Sequence, residues 1–222
     1  MRSWKNGKRG FAVSRAKSAK NSENAGRLTV RTFGGLTLYY QGTPVPVVWE
    51  SQKARLLFCY LIITSDQWVH RDKIIELLWP GCGGKAGASN FKTTLSRLRK
   101  SFSPPFAVDP VITQGDAVRI NVHAIDIDAS RFRHNAVTGI KLLGRGEAEA
   151  ARECLEAAED LYAGEFLPEE PFNDFIKNAR NELAELHSSV LTYLGKLYRQ
   201  EGNHEALEAF LLLNKSMVMN PA

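Results

Sequence analysis

Between Leu28 and Ile120 the spacing of apolar residues changes twice, and this constrains the fold more than any other feature of the chain. Leu28, Val30 and Phe33, then Leu36, Leu38 and Tyr40, alternate around Gly34-Gly35, the pattern of two short antiparallel strands. Val45 to Trp49, beyond Gly42-Thr43-Pro44, supplies a third. The spacing then becomes helical. Ala54, Leu57, Phe58 and Leu61 share one stripe in a helix from about Ser51 to Ile63. Ile74, Leu77 and Leu78 mark a second helix, stopped by Pro80-Gly81. Phe91, Leu95, Leu98 and Phe102 mark a third, ending before Pro104-Pro105. Alternation returns in Val111-Ile112-Thr113 and Val118-Arg119-Ile120, which flank the turn-forming Gln114-Gly115-Asp116-Ala117. Strands, three helices and a hairpin, in that order, predict an α+β winged helix-turn-helix over 27–124.

Beyond Asp128 the pattern is helical throughout. Breaks fall at Gly139, at Gly144-Arg145-Gly146, between Gly164 and Pro171, and at Gly202-Asn203. Leu155, Ala158, Leu161 and Tyr162 mark one amphipathic helix, Ile176, Ala179, Leu183 and Leu186 open a long one, and Ala206, Phe210 and Leu213 mark the last. Helix pairs joined by short turns resemble a tetratricopeptide-like array, so 125–222 is expected to be an all-α tetratricopeptide-like domain.

Charge separates the same regions. Residues 1–26 carry seven Lys/Arg against Glu23, a balance of +6; 27–128 stand at +4 and 129–222 at −5. The first 26 residues hold too few apolar side chains to offset the entropy of ordering and are expected to form a disordered basic tail. Either a linker or an arm adding phosphate contacts fits that composition. No apolar run is long enough for a membrane span and no apolar core follows the basic N-terminus as in a secretory signal. Cys59, Cys82 and Cys154 stand too far apart for a metal knuckle and fit a reducing compartment, so the expected location is cytoplasmic, with no membrane partner.

Enzyme readings find little support. No Walker-type glycine loop, HExxH, nucleophile elbow or paired-aspartate metal pattern occurs, and Gly81-Cys82-Gly83-Gly84-Lys85 is too short for a phosphate loop. His70, His123, His134, His187 and His204 are scattered, as surface or packing residues are, and Glu159-Asp160 and Glu169-Glu170 read as solvated acids. No catalytic residue, metal or cofactor is expected.

Five short motifs occur in a consistent order: Lys53-Ala54-Arg55-Leu56-Leu57, Leu77-Leu78-Trp79-Pro80, Leu95-Ser96-Arg97-Leu98-Arg99-Lys100, Tyr162-Ala163-Gly164-Glu165-Phe166-Leu167-Pro168 and Glu182-Leu183-Ala184-Glu185-Leu186. Together they resemble the SARP-type (antibiotic regulatory protein) regulators, which join an OmpR-like winged helix to a bacterial transcriptional activator domain. The resemblance covers 28–221. It implies a bacterial transcriptional activator that binds double-stranded promoter DNA as a homodimer on direct repeats and recruits RNA polymerase. It also implies more helices than this chain supplies, hence a longer parent carrying an ATPase, a phosphopeptide-binding domain or another sensor. Three places depart from the pattern. The 81–85 stretch lacks acidic residues, Ala117-Val118 stands where a Gly-Tyr pair is common, and His70 replaces a Ser or Thr helix cap.

The apolar stripe of the third helix leaves Ser89, Thr93, Ser96, Arg97 and Lys100 on the opposite side, with Lys92 and Arg99 on a flank. Since the major groove admits one α-helix, Thr93, Ser96 and Arg97 are the candidate base contacts, and Lys92, Arg99 and Lys100 the candidate phosphate contacts. Arg119 in the wing, with Gln114 near its turn, is a candidate for the minor groove or its phosphates, against ordinary strand solvation. Lys53 and Arg55 suit phosphate contacts or a solvated face equally. Trp79 reads as core, and the loop from Gly81 to Ala86 as a candidate polymerase-contact surface. The acidic helices suit dimerisation, effector binding or a passive spacer. The competing reading of the whole chain is an interaction scaffold whose winged helix binds protein instead of DNA.

Overall fold

The computed structural model describes residues 27–103, 106, 108–202, 208 and 210. The expected basic tail and all but two residues of the expected last helix lie outside them.

The first sheet contains β1 (Leu28–Arg31), β2 (Thr37–Tyr40), β3 (Thr43–Val45) and β7 (Ile125–Ile127), in the order β3-β2-β1-β7. β1 and β2 are antiparallel, with Val30 opposite Leu38. β3 forms earlier than the alternation to Trp49 suggests. Gln41 and Gly42 both take positive φ (50° and 80°), giving a two-residue hairpin turn that starts pairing at Thr43, and Pro46, without an N–H, follows its end. β7 runs parallel to β1, with Leu28 opposite Ile125. The start of the region assigned to the helical half thus completes the sheet of the first module.

Three helices follow: α1 (Gln52–Ile63), α2 (Arg71–Leu78) and α3 (Gly84–Ser101). Ser51 caps α1 through its side chain, which accepts from Ala54 N. His70 caps α2 by accepting from Asp72 N at 3.3 Å, a long bond for the role. α3 begins seven residues before Phe91, so Gly84, Lys85 and Ala86 are helical and the connection from α2 shortens to Trp79–Gly83. β5 (Val111–Gln114) and β6 (Ala117–Ile120) form the hairpin, and β4 (Val69–His70) pairs with β6 as its third strand.

The helical half contains α4 (Asp128–Gly144), α5 (Ala148–Glu159) and α6 (Asp174–Gln200). Gly139 lies inside α4 and does not break it. It is there for packing: a Cβ at this position would sit 2.7 Å from Leu155 Cγ and 3.1 Å from the Ala151 carbonyl. Leu161 and Tyr162 fall just beyond α5. The architecture is the expected winged helix followed by helical repeats.

One continuous apolar cluster runs from Leu28 to Tyr198, so the two halves share a core. Phe33 at the end of the first sheet packs against Phe132 of α4 and against Tyr162 and Phe166 of the α5–α6 loop, at centroid distances of 5.4, 4.7 and 6.2 Å. That loop contains the Tyr162–Pro168 motif, whose backbone pairs with the β1–β2 turn: Gly34 N donates to Glu165 O at 2.8 Å, and Leu167 N to Thr32 O at 2.9 Å. Gly164 approaches Gly34 so closely that a Cβ on it would lie 3.4 Å from Gly34 Cα, and its φ of +136° disfavours any other residue. Leu167 is buried with φ +44°, a strained value for a branched side chain. Arg180 of α6 holds this turn by donating to the carbonyls of Phe166 and Leu167, at 2.8 and 2.6 Å.

A polar node completes the junction. Asp128, at the start of α4, accepts from Thr32 N, Thr32 Oγ1, Phe33 N and Ala129 N, at distances between 2.5 and 3.2 Å. Burial raises the Asp128 carboxyl above the usual aspartate range, and these donors pull it back down. Glu169 and Glu170, read from sequence as solvated acids, reach back to the first module. Both pair with Arg55, Glu170 also accepts from Gln52 Nε2 at 3.0 Å, and Glu169 from Leu36 N at 2.8 Å.

Candidate nucleic-acid interface

α3 is amphipathic, and the side it buries determines the side it presents. Phe91, Thr94, Leu95 and Leu98 are buried, and Phe102 at the C-cap packs against Phe58 of α1 and Trp49. Gly87 sets its approach to α2: a Cβ there would fall 2.5 Å from Cys82 O and 2.6 Å from Ile75 Cγ2. α2 and α3 can therefore cross this closely only with glycine at 87. Ser101 ties the helix end to the segment before α1 by accepting from Glu50 N at 3.0 Å.

The exposed side of α3 carries Lys85, Ser89, Lys92, Thr93, Ser96, Arg97 and Lys100. These positions fall on one face at helical spacing. Among the described residues Lys85, Lys92 and Arg97 make no ion pair, and Lys100 pairs with Glu50 at 3.1 Å while remaining largely exposed. No acidic residue occupies the first turn and no side chain caps Gly83, so the positive end of the helix dipole adds to these cations.

The wing hairpin lies against the start of α2. Arg71 at the start of α2 fixes its tip, donating its backbone N–H to Asp116 O at 2.8 Å and its guanidinium to the Asp116 carboxylate at 2.6 Å. Gln114 is exposed on β5. Arg119 is half-buried, with its guanidinium carbon 4.7 Å from the centroid of Trp68, whose ring supports it by a cation–π contact.

The nine residues singled out from sequence therefore divide. Lys92, Thr93, Ser96, Arg97 and Lys100 share the open face, Lys100 at its C-terminal end beside Glu50, and Arg119 stands apart on the wing. Arg99 turns to the Asp109 carboxylate at 3.0 Å and the Val111 carbonyl at 3.3 Å, bracing α3 against the start of the hairpin. Lys53 Nζ donates to Leu78 O at 2.5 Å beside Trp79, closing the end of α2. Arg55 is occupied by Glu169 and Glu170 of the helical half. Lys85 was missed because its segment read as loop. Counting the 85, 89, 92, 96 spacing backwards from Lys92 would have found it.

Residues 127–217 match the family model for the bacterial transcriptional activator domain. Among solved structures the fold is similar to Mycobacterium tuberculosis EmbR in complex with a low-affinity phosphopeptide, with a TM-score of 0.67 and 23% identity over 86% of this chain. The alignment takes in 51% of that chain, so this sequence spans about half its length. No curated protein matches. The family-model match agrees with the activator-domain part of the resemblance carried by the five motifs, and the structural likeness agrees with its fold. Among the described residues no helix is long and apolar enough to cross a membrane.

Proposed function

We propose that this chain, a winged helix fused to a bacterial transcriptional activator domain, is a transcription regulator that recognises promoter DNA by inserting α3 into the major groove. The observation carrying this reading is the exposed face of α3, where Lys92, Thr93, Ser96 and Arg97 stand together without internal partners among the described residues. Arg99, on the flank of the same helix, is instead engaged by Asp109. Arg97 offers the fork suited to a guanine edge, Thr93 and Ser96 offer short hydroxyls, and Lys85, Lys92 and Lys100 take phosphates. Arg119 on its Trp68 platform, with Gln114, reaches the flanking groove. Arg99 acts instead as a brace between α3 and the hairpin, Lys53 closes the end of α2, and Arg55 ties α1 to the helical half. As the family resemblance implies, the protein binds direct repeats as paired protomers and recruits RNA polymerase through the Gly81–Ala86 stretch, of which Gly81–Gly83 lies in the connection from α2 and the rest opens α3.

Selection of bound duplexes from a random library, followed by titration of the winner and of scrambled DNA at two salt concentrations, tests this. About five phosphate contacts per protomer give a log–log salt slope of about −4.5. Arg97→Ala weakens the selected site by about 1–3 kcal/mol and relaxes one base position. Lys92→Ala weakens all sequences alike and flattens the slope by about 0.9. An unenriched library and a flat slope would replace this reading with the protein-binding scaffold.

A further inference from the structure

The junction between the modules contains a cleft of about 400 Å³, within the range that takes small organic ligands. Ile62 of α1, Phe166 of the α5–α6 loop, and Ala179 and Leu183 of α6 form its apolar floor. Its rim has a different character. Arg133, Val137 and Lys141 follow one another at four-residue spacing on α4, so an apolar side chain sits between two cations on one face. Val137 is exposed between them. His134 and Thr138 stand beside this stripe, and Ser65 and Ser130 hydrogen-bond each other at 2.7 Å across the module boundary, within the lining.

Anionic groups near the cleft are Asp66 on its edge and Glu182, 3.7 Å from Arg133. The latter contact is long and solvent-exposed, so it holds Arg133 weakly and leaves it free to turn inward. Lys141 has no ion-pair partner among the described residues. An apolar floor under two rim cations suits a molecule with an aromatic or aliphatic body and one negative group.

We propose that this cleft binds a small amphipathic organic acid, with its apolar body on Phe166 and Leu183 and its carboxylate between Arg133 and Lys141. The cleft walls come from α1 of the winged helix and from α4 and α6 of the helical half, so a bound acid bridges the two and stabilises their observed arrangement. This extends the regulator reading by giving the helical half a chemical class of effector. The binding itself does not depend on DNA.

The test is calorimetric and NMR titration of the DNA-free full chain with 2-naphthoate, 4-phenylbutyrate and octanoate, alongside 2-naphthalenemethanol and 2-naphthylmethylammonium as neutral and cationic counterparts. The expected result is saturable binding of at least one acid, with shifts confined to the cleft, and weaker binding of its neutral and cationic analogues. Arg133→Gln with Lys141→Gln lowers affinity for the acid by about tenfold and leaves the melting temperature of the free protein unchanged, since both side chains are on the rim. Val137→Trp fills the mouth and abolishes binding. No saturable binding of any acid, equal binding of the neutral analogue, or an unaffected double variant would overturn the proposal. None of these results bears on whether α3 reads DNA, which the duplex selection decides separately.

Discussion

Replacing Asp128 with alanine should uncouple the two modules more severely than any surface change. The carboxylate accepts from Thr32 N, Thr32 Oγ1 and Phe33 N, three donors on the first sheet, and from Ala129 N on its own helix. Thr32 is fully buried, so water cannot replace the lost acceptor without opening the Phe33–Phe132 contact. Each orphaned buried donor costs about 1–3 kcal/mol, and the carboxylate's own desolvation, visible in its raised pKa, offsets part of that. A net loss of about 4 kcal/mol follows. With a urea m-value of about 2–3 kcal/mol per molar, the midpoint should drop by more than about 1 M. Tryptophan fluorescence reports the first module through Trp49, Trp68 and Trp79, whereas far-ultraviolet circular dichroism sums the helices of both modules, so once uncoupled the fluorescence transition should no longer coincide with the dichroism transition. Arg131→Ala, which removes only an exposed ion pair with Asp126, serves as control and should cost about 0.5 kcal/mol or less. A loss below about 1 kcal/mol for Asp128→Ala, with coincident probes, would refute the view that this node joins the modules.

Gly87→Val should abolish DNA binding and lower the melting temperature, because its Cβ meets the Cys82 carbonyl at 2.5 Å, a backbone atom that cannot step aside; thermal melts and duplex titration read both effects. Gly139→Ala should destabilise the helical half by about 1–3 kcal/mol through overpacking against Leu155, and a paired Leu155→Ala should restore part of the loss. His187 is buried, stacked 3.8 Å from the Tyr162 ring, and burial lowers its pKa to about 4. The unfolded chain therefore takes up a proton near pH 6.5 that the folded protein refuses until about pH 4, so this residue's contribution is intact above 6.5 and is lost as pH falls through that window, by about 3 kcal/mol in all. The raised Asp128 pKa acts with the opposite sign, so the quantity to measure is wild type minus His187→Phe across pH, and a flat difference would contradict the assignment. Burial pushes the Cys59 thiol up to about 12, whereas Cys82 and Cys154 are partly exposed, so iodoacetamide should label the latter two in native protein and Cys59 only after unfolding.

Much of this was legible because it depends on neighbours in sequence. The change of period from strand to helix and back marked β1 to β3, α1 to α3 and the β5–β6 hairpin but not the short β4 or β7, which are too brief to show alternation; Ser51 announced α1, and the stripe Phe91–Leu95–Leu98 fixed which way Lys92, Thr93, Ser96 and Arg97 must face. Boundaries failed where glycine concealed the pattern. Gly84 and Gly87 disguised the first turns of α3, and Gly139 was mistaken for a break when it is a contact surface. The Tyr162–Pro168 motif was visible as a signature but its work was not, since Phe33, Gly34 and Thr32, which it packs against, lie more than 120 residues away in the chain.

The sequence by itself determined the order of the longer elements and the open face of α3, because apolar periodicity acts within a few turns of chain. Only the tertiary structure decided which cations are free. Arg55 meets Glu169 and Glu170 across 114 and 115 positions, Lys53 meets Leu78 across 25, and Arg99 meets Asp109 across 10. A charged side chain carries no sign of whether its partner will be a carboxylate brought in by folding or a phosphate from outside, since that choice depends on where the core places the rest of the chain.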